Sequence, residues 1–183
     1  MIVISGGLAK GRKIKTLRGM STRPLLSRIR KSLFDVLREN VVNSRFLDLY
    51  AGSGAVGIEA LSRLAGQATF VEKNPACLEI IRENLDRCHL LDKAVILRGD
   101  VLTSFPHLLN KEKYDIIFIG PPYFRGLQER TLEIIEEKQA RCFTVIVQHS
   151  SHESVSFEGT SYFQAWKEKK YGNTILTFLQ SKR

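Results

Sequence analysis

The chain is sparing with the residues that staple or ligate. Its three cysteines, Cys77, Cys88 and Cys142, form no C-x-x-C pair and no even set, which excludes a disulfide framework and a cysteine-rich metal centre; they read as buried, reduced thiols. The four histidines, His149 and His152 among them, show no ligand spacing and read as loop or surface residues. No metal is expected. No apolar run reaches 18 residues, and the opening Met1-Ile2-Val3-Ile4 is too short for a signal peptide. The expectation is a cytoplasmic monomer with no membrane span. Repeats and low-complexity tracts are missing too.

Acids are scarce in one place only. Residues 1–45 hold eleven Lys and Arg against Asp35 and Glu39, a net of +9, whereas residues 46–183 hold seventeen of each sign. The whole excess therefore sits in an N-terminal extension, 1–45, attached to a neutral unit, 46–183. Such an arm suggests a polyanionic partner, because Lys and Arg gain from counterion release when they neutralise phosphates. At 183 residues the chain is long enough for one well-cored domain.

Within the extension, two β-prone pieces around Gly6-Gly7 and Gly11 suggest a hairpin carrying Lys10, Arg12 and Lys13. A helix is expected from about Pro24 to Val42, with Leu26, Ile29, Leu33, Leu37 and Val41 on its core face. Arg28 and Lys31 lie on another side and, with Arg23 just before the helix, are RNA-contact candidates. Beyond residue 45, strands at 46–50, 68–72, 94–98, 114–119 and 142–148 alternate with helices at 54–65, 75–90, 101–110 and 127–139. The pattern implies an α/β fold with a mostly parallel, doubly wound sheet. The end of the chain reads as two antiparallel strands, one from Ser154 onward and one over 174–179, separated by the basic Lys167-Glu168-Lys169-Lys170.

Two motifs carry the chemistry. Asp48-Leu49-Tyr50-Ala51-Gly52-Ser53-Gly54-Ala55-Val56-Gly57 is a strand end, a glycine turn and a helix start that fits G-x-G-x-x-G, and Glu72 ends the next strand 20 positions past Gly52. That spacing admits NAD. Asp48 argues against a pyrophosphate and for S-adenosylmethionine, whose ammonium and sulfonium are cationic; Glu72 then accepts from the ribose hydroxyls and Asp100 from the adenine amine. Gly52, Ser53 and Gly54 complete the expected cofactor site. The second motif, Gly120-Pro121-Pro122-Tyr123, is stiffened by two of the chain's five prolines. Such a loop presents fixed carbonyls to an amino group and an aromatic face to a base.

With Phe70-Val71-Glu72-Lys73, Tyr171-Gly172-Asn173-Thr174 and the N-terminal Ile4-Ser5-Gly6-Gly7, Lys10-Gly11-Arg12 and Thr22-Arg23-Pro24, these segments resemble the small-subunit ribosomal RNA guanine-N2 methyltransferases of the RsmD type. The likeness spans almost the whole chain. It implies a Rossmann-like class I methyltransferase fold and methyl transfer from S-adenosylmethionine to guanine N2 in 16S ribosomal RNA, free or in an assembled small subunit. It also implies that Gly120, Pro121, Pro122 and Tyr123 form the catalytic loop. One position departs: the family's tetrapeptide opens with Asp or Asn, where this chain has Gly120. Restoring either is expected to raise the rate. An amino methylase acting on DNA, a nicotinamide oxidoreductase and a catalytically weakened RNA-binding protein are the alternatives left open.

Overall fold

The computed structural model describes residues 1–17, 27–138, 142, 144–156 and 162–182. A short antiparallel hairpin, β1 (Ile2–Val3) with β2 (Lys13–Ile14), precedes helix α1 (Ser27–Leu37) and a 3-10 turn, Arg38–Val41. Strands and helices then alternate as the apolar spacing requires: β3 (Arg45–Leu49), α2 (Ala55–Ser62), β4 (Gln67–Glu72), α3 (Pro75–Cys88), β5 (Ala94–Arg98), α4 (Val101–Lys111), β6 (Ile116–Ile119), α5 (Leu127–Glu137) and β7 (Thr144–Ser150). An antiparallel pair, β8 (Phe163–Tyr171) and β9 (Thr174–Ser181), closes the chain.

Seven strands form one mixed sheet in the order β5-β4-β3-β6-β7-β9-β8, parallel from β5 to β7. The strand order reverses between β3 and β6, so the loops after these two strands flank the switch point where open sheets of this kind bind ligands. Alternate residues of each central strand go to opposite faces. Phe46, Phe70, Phe118 and Ile146 join α2, α3 and the N-terminal extension on one side, while Leu47, Val71, Ile117 and Val145 join α4 and α5 on the other.

The extension is not a loose tail. Its Ile4, Ala9, Ile14, Ile29, Leu33 and Phe34 are buried in the same core as the sheet. Glu59 of α2, fully buried, accepts from Ser5 N (2.9 Å), Ser5 Oγ (2.6 Å), Arg30 Nε (3.0 Å) and Arg63 Nε (3.1 Å). Burial alone would raise the pKa of this carboxylate, but the two Ser5 bonds and Arg30 outweigh it and hold the group below the ordinary range. Asn84 of α3, also fully buried, makes a reciprocal pair with the Lys15 backbone at 2.7 and 3.0 Å, and donates to Ser53 O at 3.0 Å. The segment after β2 is thereby tied to the glycine turn.

Two sequence expectations need correction, and a third falls partly outside the described residues. Lys167-Glu168-Lys169-Lys170 lies inside β8, and the connection is the Gly172-Asn173 turn; Ser154–Ser156 carry no strand, and Phe157 falls outside the described residues. A solvated edge strand has little apolar face to form a periodic signal, which is why its charges read as a linker. His149 is no loop or surface residue: it is buried in β7, with Nε2 3.0 Å from Thr177 Oγ1 and Nδ1 3.2 Å from the Ser150 carbonyl oxygen, and burial lowers its pKa. The helix α1 is described from Ser27, so Arg23, Pro24, Leu25 and Leu26 lie outside the described residues. The cysteines are free and buried as expected, and burial pushes Cys77 up to about 11 and Cys142 up to about 12.

Arg30→Met removes the fully buried one of the two cations that meet Glu59 and leaves only the part-exposed Arg63, a change of the kind that typically costs about 3–5 kcal/mol. For a chain of this size it lowers the melting temperature by about 6–20 °C. Thermal denaturation followed by circular dichroism checks this; an unchanged transition would show that the pair does not hold the extension to the sheet.

Candidate active site

A cleft of about 390 Å³ opens at the switch point. β3 and the turn after it supply Asp48, Tyr50, Gly52 and Ser53, and the loop after β6 supplies Gly120 to Arg125. Thr16 closes the cleft from the extension, while Gln148, His152 and Asn173 come from β7 and the loops near it. Of the residues singled out in the sequence, Asp48, Gly52, Ser53 and the whole Gly120–Tyr123 loop meet here. Gly54 stands directly behind them as the N-cap of α2.

Asp48 sits at the end of β3, almost fully buried, and its Oδ2 accepts from Gly57 N at 2.9 Å. Gly57 is in the first turn of α2, where backbone N–H groups lack intrahelical partners and often hold a phosphate. Asp48 already takes that donor. The close approach of helix and sheet requires glycine at this point, because a β-carbon at 57 would stand 2.4 Å from the Phe70 ring. Burial pushes the Asp48 pKa up to about 8; the Gly57 bond opposes the shift and the charge of Glu72 adds to it. In the ligand-free cleft burial therefore disfavours the charged form, and a cation placed there would favour it. Its role against pyrophosphate is geometric: the helix donor is occupied.

Glu72 and Asp100 are not in the cleft lining. Glu72 accepts from Gly52 N, Lys73 N and Asn74 N, each at 2.9 Å, so its carboxylate braces the glycine turn. A carboxylate has about four acceptor positions, which leaves one for a ligand hydroxyl. Asp100 caps α4 by accepting from Leu102 N at 3.0 Å, and lies 3.6 Å from Lys73 Nζ. Both acids serve local structure first.

The Gly-Pro-Pro-Tyr loop is anchored by its last residue. Tyr123 is half-buried, and its hydroxyl receives a hydrogen bond from Gln148 Nε2 at 2.8 Å and lies 3.1 Å from Thr174 Oγ1. Phe124, next to it, is 67% exposed at a backbone φ of +60°. An aromatic face is thereby held open to solvent at the cleft, where a planar ligand could meet it. Neither Phe124 nor Gln148 was identifiable from sequence: one is an ordinary residue after the motif, the other an amide in an apolar strand. Residue 120 also differs from expectation, since a β-carbon there would stand 2.6 Å from Phe118 Cε1.

The basic candidates divide. Lys10, Lys13, Arg28 and Lys31 are exposed. Arg12 is exposed but donates from Nη1 to the Arg87 carbonyl, so it helps dock the hairpin on α3. Among the described residues no group of His, Cys, Asp and Glu could hold a metal ion, and no helix is long and apolar enough to cross a membrane.

The donor set fits S-adenosylmethionine. Asp48 lines the cleft, and its Oδ1 takes no hydrogen bond among the described residues. A buried carboxyl with one free oxygen suits a cationic group, and the volume is that of a typical small-ligand site.

Residues 2–180 match the family model described as Conserved hypothetical protein 95. Over 137 residues the chain is 39% identical to the ribosomal RNA small subunit methyltransferase D of Buchnera aphidicola subsp. Acyrthosiphon pisum, covering 75% of this chain and 70% of that protein. It is 35% identical to the protein of the same name from Escherichia coli K12, covering 74% and 67%. A solved hypothetical protein of Thermus thermophilus superposes with a TM-score of 0.80 at 29% identity, over 98% of this chain and 99% of that one. SMU.776, solved in complex with SAH, shares the fold at a TM-score of 0.69 and 16% identity, over 87% of this chain and 50% of that one. Matched from its second residue almost to its end, the chain belongs to the Conserved hypothetical protein 95 family, the methyltransferase family of the RsmD type.

Proposed function

We propose that this chain methylates the exocyclic N2 of a guanine in small-subunit ribosomal RNA. The observation that carries the reading is the meeting of a braced glycine turn and a rigid Gly-Pro-Pro-Tyr loop at one switch point, in a chain related to small-subunit ribosomal RNA methyltransferases. S-adenosylmethionine, when bound, supplies an electrophilic methyl group carried on a sulfonium. Asp48 receives the ammonium end, and the Gly52-Ser53 turn positions the rest. The amine of guanine is a poor nucleophile because its lone pair is conjugated into the ring. A carbonyl of the Gly120-Pro121-Pro122 loop accepts one of its hydrogens, which favours a pyramidal nitrogen and aims the lone pair at the methyl carbon. The surplus proton left on nitrogen then passes to water. Phe124 offers its open face to the flipped base, while the pinned Tyr123 holds the loop in place. The exposed Lys10, Lys13, Arg28 and Lys31 meet phosphates.

Incubation with labelled S-adenosylmethionine and undermethylated small ribosomal subunits, followed by mapping of the modified base, tests the reading. Label on guanine N2 is the expected result. Label confined to duplex DNA, or none on RNA, would overturn it.

Because Asp48 must lose its proton to meet an ammonium, cofactor binding releases a proton below the Asp48 pKa of about 8. Affinity therefore rises with pH, by roughly tenfold per unit between about pH 5.5 and 7. Asp48→Asn flattens that slope and weakens binding at pH 7. Calorimetry in buffers of different ionisation enthalpy measures both; equal slopes in the two proteins would remove Asp48 from the ammonium site.

Replacing Lys10, Lys13, Arg28 and Lys31 by Ala weakens RNA binding and lowers its salt slope by roughly 0.7–0.9 for each phosphate no longer neutralised. Cofactor affinity stays as it was. A preserved salt slope would place the RNA-binding surface elsewhere on the molecule.

A further inference from the structure

The first residue of the Gly-Pro-Pro-Tyr loop brings no side-chain acceptor, and the space such a side chain would use is already taken. A β-carbon on Gly120 would stand 2.6 Å from Phe118 Cε1 and 3.5 Å from Gln148 Oε1. Phe118 belongs to the buried core on the extension side of the sheet. Its ring also borders the cleft, so a side chain at 120 would press it against its core neighbours or into the space a ligand needs.

Gln148 is different. It lies on β7, the strand beside β6, is 8% exposed and lines the cleft. Its two amide atoms have separate fates. Nε2 donates to the Tyr123 hydroxyl at 2.8 Å, and that hydroxyl is in turn 3.1 Å from Thr174 Oγ1 on β9. Oε1 accepts no hydrogen bond among the described residues, and it is the atom that stands beside residue 120. No buried side-chain oxygen or nitrogen among the described residues lacks a partner, so Oε1 opens to the cleft, where a ligand N–H can reach it.

We propose that Gln148 Oε1 is the side-chain acceptor for the target amine, reaching from the neighbouring strand into the place that a side chain at residue 120 would hold. The inference rests on the amino-methylation reading above. The amide is held by its own nitrogen through Tyr123 and Thr174, so the acceptor is fixed before the base arrives, and preorganised acceptors are the effective ones. One amine N–H donates to Oε1 and the other to a loop carbonyl. As the N–C bond forms and the S–C bond breaks, positive charge moves onto nitrogen, where a fixed amide dipole stabilises it. The surplus proton leaves to water; Gln148 stays neutral and takes neither proton nor methyl group. In this arrangement Gly120 is no defect but a requirement, because a larger residue would push on Phe118 and crowd the acceptor.

Single-turnover methylation of undermethylated small ribosomal subunits separates the possibilities. Gln148→Leu keeps the bulk and removes the acceptor, and its rate falls by about 100-fold. Gln148→Glu keeps an acceptor oxygen and recovers most of that loss. Tyr123→Phe breaks the link to Gln148 and keeps the ring, so it costs less than Gln148→Leu, whereas equal losses would show that Gln148 acts only through Tyr123 and would overturn the assignment. Gly120→Asn is slower than the parent. S-adenosylmethionine affinity, read by calorimetry, is unchanged in Gln148→Leu. A Gln148→Leu rate equal to the parent's would also overturn the assignment.

If the parent does not methylate small subunits at all, the ribosomal reading fails by itself, and Gln148 is judged by binding. The protein saturated with S-adenosylhomocysteine is titrated with guanosine against inosine, and with adenosine against purine riboside. A preference of about fivefold for an amine-bearing nucleoside, abolished in Gln148→Leu, upholds the acceptor role. No preference in the parent, or one kept in Gln148→Leu, refutes it.

Discussion

Four hydrogen bonds converge on one carboxylate, Glu59, sealed beneath the N-terminal hairpin and the helix that follows it. A charge withdrawn from water this completely is tolerable only while its donors stay in place. The consequence is geometric. Ser5 and Arg30 come from the extension, Glu59 and Arg63 from the helix that follows the glycine turn and its end, so the basic arm and the cleft keep a fixed relation. Asn84 repeats the device a few residues away by joining Lys15 to Ser53. An arm that only supplied positive charge would need no such attachment. Under the proposed function, the attachment would hold bound RNA at a set distance from the cleft.

The cleft itself follows from sheet order. Parallel strands end on one side, and a reversal between β3 and β6 parts the loops there. The glycine turn in the lining is then held by contacts to its main chain: Glu72 grips it through three backbone amides, and Asp48 takes the free N–H of Gly57. These acids, Asp100 included, shape the backbone first. Asp48 alone of the three lines the cleft, and the burial that sets it against Gly57 also raises its pKa.

Much of this was legible in the sequence. The alternation of apolar strands with amphipathic helices located the parallel strands to within a few residues, because strands buried on both faces leave continuous runs of Ile, Val, Leu and Phe. The glycine turn and the Pro-Pro loop stood out because their backbone geometry demands particular residues. What stayed hidden was whatever depends on distant partners. Arg30 looks like one more cation on a basic helix, and only the fold buries it against Glu59. His149 and Gln148 are polar letters in an apolar strand, and their neighbours Thr177 and Tyr123 are far along the chain. Asp100 and Glu72 were read by position, yet the helix start and the turn beside them use most of their oxygens.

The outer strand of the sheet, β8, shows a different kind of economy. It carries Lys167, Glu168, Lys169 and Lys170 on a sheet margin, its register shifts between Ala165 and Lys167, and Lys167 Nζ sits 5.7 Å from the Trp166 ring centre. A bare margin offers unpaired amides to any extended chain that passes, including another copy still unfolded. Here an incoming strand would have to strip water from several ammonium groups and follow an irregular ladder. The charges that break the hydrophobic pattern of the C-terminus therefore act as a stop on the sheet, and end it on that side at its own last strand.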